Sequence, residues 1–156
     1  MLIINNQSTR PEPGGTTDPL GVSMRSTVQE RLVCEFSVRC EREAIPASRE
    51  IVRRRLSCWD CDGEAIETAC LVVSELVTNA AMHSGGTRVD VRMQWSAETL
   101  RIQVRDDGRW HPSVETPQGE LTECGRGLAI VTACASEHGH STSAAGTTSW
   151  AVIPAP

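Results

Sequence analysis

Lysine and tyrosine are absent from this chain of 156 residues, and its one phenylalanine is Phe36. All fifteen cationic residues are arginines. Without lysine there is no phosphate-binding loop of the Gly-x-x-x-x-Gly-Lys kind. A formal net charge of −5 with no basic run argues against direct binding to nucleic acid. No apolar run approaches the roughly 20 residues that span a bilayer, and the first residues lack the basic, apolar, small order of a signal peptide. The expectation is therefore a cytoplasmic protein with no membrane partner. A disulfide framework is missing too: the seven cysteines are odd in number and irregular in spacing, which fits a reducing compartment. Cys58 and Cys61 make one Cys-x-x-Cys with no second pair at zinc spacing. Cys34, Cys70 and Cys134 fall in apolar patterns, as small core residues do.

What is present is organised around one stretch. Ile66, Ala69, Cys70, Val73, Leu76, Val77 and Ala80 recur at the spacing of a single buried helical stripe. Glu75 and Asn79 lie off that stripe, one turn apart, and share a second face with Thr68, Leu71 and Met82. A carboxylate and a carboxamide on a half-apolar face are either a site or an ordinary exposed surface, and the helix alone leaves both open.

Around this helix, expected from about Glu64 to Ser84, the rest of the chain falls into order. Residues 1–29 are rich in Pro, Gly, Ser and Thr and read as a flexible leader that need not pack; residues 30–156 form one domain. Arg31 to Val38 alternates as a half-buried strand. Ala44 to Trp59 reads as a helix with Pro46 in its first turn and Ile51, Val52, Leu56 and Trp59 facing inward. After Gly85-Gly86 the period changes to two. Val89, Val91, Met93 and Trp95, then Leu100, Ile102 and Val104, make an antiparallel hairpin with one buried face.

Counting on in twos puts Asp106 in the buried phase and Asp107 in the exposed one. A buried ionised carboxylate needs a donor from protein or ligand; the other possibility is a strand that ends at Val104 with both acids in a turn. Arg109 to Glu123 reads as a surface loop. Gly125 and Gly127 then open a helix in which Leu128, Val131 and Ala135 can pack, and a glycine-lined helix start suits phosphate or is simply a tight turn. His140 to Ala144 and Thr147 to Ile153 close the chain as a second hairpin, with His138 and His140 read as surface residues. The fold class implied is α+β: a two-layer α/β sandwich with helices on one face of a mixed, mostly antiparallel sheet.

Four segments in this order, SELVTNAAMHS, VRDDG, GRGLAIV and AGTTSWAV, resemble the GHKL (Bergerat-fold) ATPase superfamily, and within it the small anti-sigma-factor serine/threonine kinases. The resemblance runs from about Phe36 to Ile153. It implies ATP and magnesium as cofactors. Asn79 matches the magnesium-holding residue, and Glu75 matches the acid that orients or deprotonates the attacking group. Asp106 matches the acceptor for the adenine amino group, supported by Thr147, with Gly108 letting the backbone approach the base. Gly125, Arg126, Gly127 and Leu128 match the second glycine box against the phosphates, and His83 matches a histidine at the end of the Asn-bearing helix. The pattern departs at Trp110, where the family has a second glycine. Two functions follow: a kinase that phosphorylates an anti-anti-sigma antagonist and so controls a sigma factor, possible as a homodimer, or an interaction module without phosphotransfer.

Overall fold

The computed structural model describes residues 4–7, 32–96, 98–108 and 124–154. Among these residues six strands and three helices follow in the order β1 (Ile4–Gln7), β2 (Leu32–Arg39), α1 (Ala44–Cys58), α2 (Gly63–His83), β3 (Arg88–Trp95), β4 (Thr99–Asp106), α3 (Cys124–Cys134), β5 (Glu137–Ser143) and β6 (Gly146–Pro154). The strands lie in one sheet in the order β1-β2-β3-β4-β6-β5. The expected α+β two-layer sandwich is present, but its sheet is not mixed: every pairing among the described strands is antiparallel. The reason is topological. Strands β4 and β5 run the same way, since each is antiparallel to β6, yet β6 returns between them and separates the parallel pair. Between β2 and β3 the two helices carry the chain down and back, and those strands pair antiparallel.

The alternation expected of the strands sets the core. Cys34 and Phe36, then Val89, Val91 and Met93, then Leu100, Ile102 and Val104, then Ala151 and Ile153 are all buried on the inner face. On α1, Val52 and Leu56 are fully buried and Ile51 and Trp59 half-buried. Ile4 pairs with Phe36 across β1 and β2, so the stretch assigned to a leader contains an edge strand. Four residues are too short for a period to register in the sequence; the remainder of 1–31 lies outside the described residues.

Helix α2 begins where Asp62 accepts from the backbone N–H groups of Glu64 (2.6 Å) and Ala65 (3.2 Å), satisfying two otherwise unpaired donors. It is more deeply buried than one stripe requires. Val72 and Ser74 join Ala69, Cys70, Val73, Leu76, Val77 and Ala80 in the interior, because α2 packs on α1 as well as on β3, β4 and β6. Of its 21 residues an 18-residue window has a mean hydropathy of 1.3, long and apolar enough by length and composition alone to cross a membrane, but half of that window is buried inside the fold and its apolar groups form the core.

Asp107, just beyond β4, ties the end of the central hairpin together. Its carboxylate accepts from Thr87 N (2.7 Å), Thr87 Oγ1 (2.8 Å) and Arg88 N (2.9 Å). The Arg88 backbone N–H and the Thr87 hydroxyl hold the carboxyl down at about 2. A folded-state value below the unfolded one contributes stability above pH 4, lost as pH falls toward 2. Asp107→Asn should therefore cost about 1 kcal/mol at neutral pH, with solvent screening allowed for. Urea-unfolding midpoints at pH 7 and pH 3 check this: the gap between wild type and variant should shrink at the lower pH.

Candidate functional site

Across β4, β6 and β5 the inner face of the sheet changes character. Ile102, Ala151 and His138 form one cross-strand row, Val104, Ser149 and His140 the next, and Asp106, Thr147 and Thr142 the last. Apolar groups lie under α2, and polar groups lie toward the β5 edge. The last two turns of α2 stand over one side of this polar floor and α3 over the other, leaving a cavity of about 460 Å³ between them. Asn79, His83 and Ser84 line it from α2 and its cap, Leu128 and Val131 from α3, and Asp106, Thr147, His138 and His140 from the sheet.

Asp106 is the only acid lining this cavity among the described residues, and it is 5% exposed, as its phase on the strand requires. Its Oδ1 accepts from Gly108 N at 3.1 Å, and the Thr147 backbone and the Ser84 hydroxyl also bond it. Burial nevertheless dominates and raises its pKa above the usual carboxylate value. Beside it Thr147 is 7% exposed, and its Oγ1 has no hydrogen-bond partner among the described residues. A buried carboxylate with acceptor capacity and a buried hydroxyl without a partner, paired across β4 and β6, are complementary to a ligand edge that offers both donor and acceptor.

Two glycines build this corner. Gly146 has φ 121°, and a Cβ there would collide with the Asp106 carbonyl oxygen, so only glycine lets β6 start beside the end of β4. Its place at the turn was legible in the sequence; its contact with Asp106 was not. A Cβ on Gly108 would collide with the Ser84 carbonyl oxygen and come within 2.5 Å of Gly86 N. The neighbour of Gly108 is thus the turn after α2, where a close approach to a ligand was expected. Ser84 itself, 2% exposed, accepts from Gly86 N at 3.0 Å; sequence reasoning missed it, because its role depends on Asp106 arriving from a distant strand.

Glu75 lies one turn before Asn79 but not on the cavity lining. It is half-buried at the amino end of α3, where a Cβ on Gly127 would overlap its carboxylate. The carboxylate is well placed there, because a helix amino end carries partial positive charge. Gly125 and Arg126 sit in the same first turn. Leu128, expected to pack, is 54% exposed and faces the cavity mouth, while Val131 is buried as expected and Ala135 packs against the core just past the helix end. His138 and His140 are exposed, as expected of surface residues, yet both line the cavity. Trp110 lies outside the described residues. No cluster of three or more His, Cys, Asp or Glu suited to a metal ion occurs among the described residues.

A sequence model described as a histidine kinase-like ATPase domain matches residues 38–153. No curated protein matches the chain.

The cost of burying Asp106 is open to test without any ligand. Its folded-state pKa is raised, so the ionised form opposes folding at neutral pH, and the penalty is relieved as pH falls and the group protonates. Asp106→Asn removes the charge and keeps an acceptor for Gly108. The thermal midpoint of wild type relative to the variant should therefore rise as pH falls from 7 to 5. A midpoint difference that stays constant or moves the other way over that interval would contradict this account of the corner.

Proposed function

The chain belongs to the histidine kinase-like ATPase domain family, and on that premise we propose that it is an ATP-dependent regulatory protein of the anti-sigma-factor kinase kind, transferring phosphate to a serine or threonine of an anti-anti-sigma antagonist and thereby controlling a sigma factor. ATP binding follows from the family; the phosphotransfer, the magnesium ion, the partners and a homodimeric state are our reading. The observation that carries it is the corner of Asp106 and Thr147: a buried acceptor beside a buried unpartnered hydroxyl fits the amino group and ring nitrogen of adenine.

In this reading each residue has one task. Asp106 accepts from the adenine amino group, a charge-assisted bond favoured by its burial, and the Thr147 hydroxyl completes the edge. Leu128 and Val131 supply the apolar wall on the α3 side. Asn79 offers its amide oxygen as the protein's ligand for magnesium. Such an ion keeps waters and phosphate oxygens around it and needs few protein ligands, which is compatible with the lack of an acidic cluster among the described residues. Magnesium, when bound, offsets phosphate charge. The amides of the turn Gly125-Arg126-Gly127 face phosphate at the start of α3. Glu75, held at that same helix end, takes the proton of the attacking hydroxyl; that it touches Gly127 rather than the cavity floor supports a role at the phosphate end and not at the base. The alternative, a nucleotide-responsive interaction module with no phosphotransfer, draws on Trp110 standing where the family has glycine.

Variants separate the two. Glu75→Ala should leave ATP affinity nearly intact and cut phosphotransfer by about a hundredfold or more. Asn79→Ala should weaken magnesium-dependent binding and turnover together, since a metal ligand serves ground and transition states alike. Calorimetry gives the affinities, and mass spectrometry of the co-purified antagonist gives the phosphorylated residue. An antagonist that stays bound and unmodified in ATP and magnesium would remove the kinase reading for that partner and leave the interaction module.

A further inference from the structure

The groups that donate to the Asp106 carboxylate are not equivalent. Gly108 and Thr147 donate from backbone N–H groups, which a change of side chain leaves in place. Ser84 donates from a hydroxyl, 2% exposed at the cap of α2. Its surroundings fix where that proton goes. Ser84 Oγ accepts from Gly86 N at 3.0 Å. Cys40, half-buried just past the end of β2, approaches the same oxygen at 3.6 Å through Sγ, but the thiol directs its one proton to the Ala80 carbonyl at 3.5 Å. The sulfur is then only a weak acceptor in competition with a carboxylate, and a charged acceptor makes the stronger bond. The Ser84 proton belongs to Asp106. The backbone is held as closely as the proton, because the Ser84 carbonyl oxygen lies where a Cβ on Gly108 would be.

Resting on the nucleotide reading above, we infer that Ser84 is a positioning residue for adenine binding: its hydroxyl holds the Asp106 carboxylate in its ionised, accepting form and so extends binding to more acidic solution than Asp106 would support without it. Burial works against the ionised form of Asp106, and a protonated Asp106 would be a weaker acceptor, no longer charge-assisted, for the adenine amino group. A hydroxyl donated to the carboxylate opposes that protonation. The other groups around the corner can be named element by element. His83 lines the cavity from α2, and His138 and His140 from β5. Cys40 stands behind Ser84 from β2. Asp107 commits its carboxylate to Thr87 and Arg88, and the Arg88 guanidinium pairs with Asp90. From α3 no side chain between Leu128 and Cys134 is charged, and β6 contributes the neutral Thr147 and Ser149. All of these are common to wild type and a Ser84 variant, so the difference between the two proteins reports the hydroxyl.

Calorimetric titration of the full chain with adenosine, which has no phosphate of its own to titrate, at pH 8, 6.5 and 5 tests the inference. At pH 8 Ser84→Ala should bind within about threefold of wild type. At pH 5 the gap should widen to about tenfold, the factor set by one hydrogen bond to a charged group. Ser84→Thr, which keeps the hydroxyl, should restore the wild-type profile, whereas Ser84→Cys, close in size but a weak donor, should follow alanine. The side-chain carboxyl carbon resonance of Asp106, followed by NMR against pH without ligand, should titrate at higher pH in the alanine and cysteine variants than in wild type. If Ser84→Ala fails to fold, Ser84→Cys carries the same comparison. An affinity loss equal at every pH, or an Asp106 resonance that titrates alike in wild type and variants, would overturn the inference and leave nucleotide binding in place. Folded wild type that binds no adenosine would overturn the nucleotide reading and this inference with it.

Discussion

A carboxylate buried where two strands meet the end of a helix needs its hydrogen bonds satisfied from several directions at once, and Asp106 is that group. Its side chain takes donors from Gly108, Thr147 and Ser84, which belong to the loop after β4, to β6 and to the cap of α2. Removing any one leaves a desolvated charge less well compensated. The glycines of the corner answer to the same requirement. Gly108 and Gly146 are positions where a Cβ would strike backbone at Ser84 and at Asp106, so the corner closes only with the smallest residue on both sides. The strands, the turn after α2 and the cavity floor are aligned by this one polar junction.

Helix α2 serves two surfaces with one sequence. Its small buried residues, Ala65, Ala69, Cys70 and Ser74, allow close approach to neighbouring elements, and Ser74 returns its hydroxyl to the Cys70 carbonyl at 2.6 Å without needing an outside partner. Its other flank carries Glu75 and Asn79 past the amino end of α3 and along the cavity. A rigid, heavily buried helix is a good mount for groups that must keep a fixed separation.

Charge is sorted by face. The outer face of the sheet holds arginine in compensated surroundings: Arg92 with Glu35 at 2.9 Å, Arg88 with Asp90 at 3.0 Å, and Arg101 stacked 4.5 Å from the Trp150 ring. These exposed pairs add little stability each. They do keep the guanidinium groups on the far side of the sheet from the cavity, whose described lining contains none.

How much of this was legible in the sequence depends on the range of the interaction. Periodicity alone located both central strands and the core stripe of α2, because which side of a strand or helix is apolar is written in neighbouring residues. It also placed Asp106 inward and Asp107 outward, since strand phase is strictly two, and the family resemblance picked out Asn79, Glu75 and Thr147. What neighbours along the chain could not convey was decided by tertiary packing. Gly108 meets the turn after α2 because β4 ends beside it; Gly127 meets Glu75 because α3 docks on α2; Leu128 is exposed because the cavity opens beneath it. Every pairing among the described strands is antiparallel because β6 slots between β4 and β5, and the same slot brings the exposed His138 and His140 to the rim of the cavity. Each of these outcomes depends on the pairing of segments distant in sequence, and no local pattern carries that information.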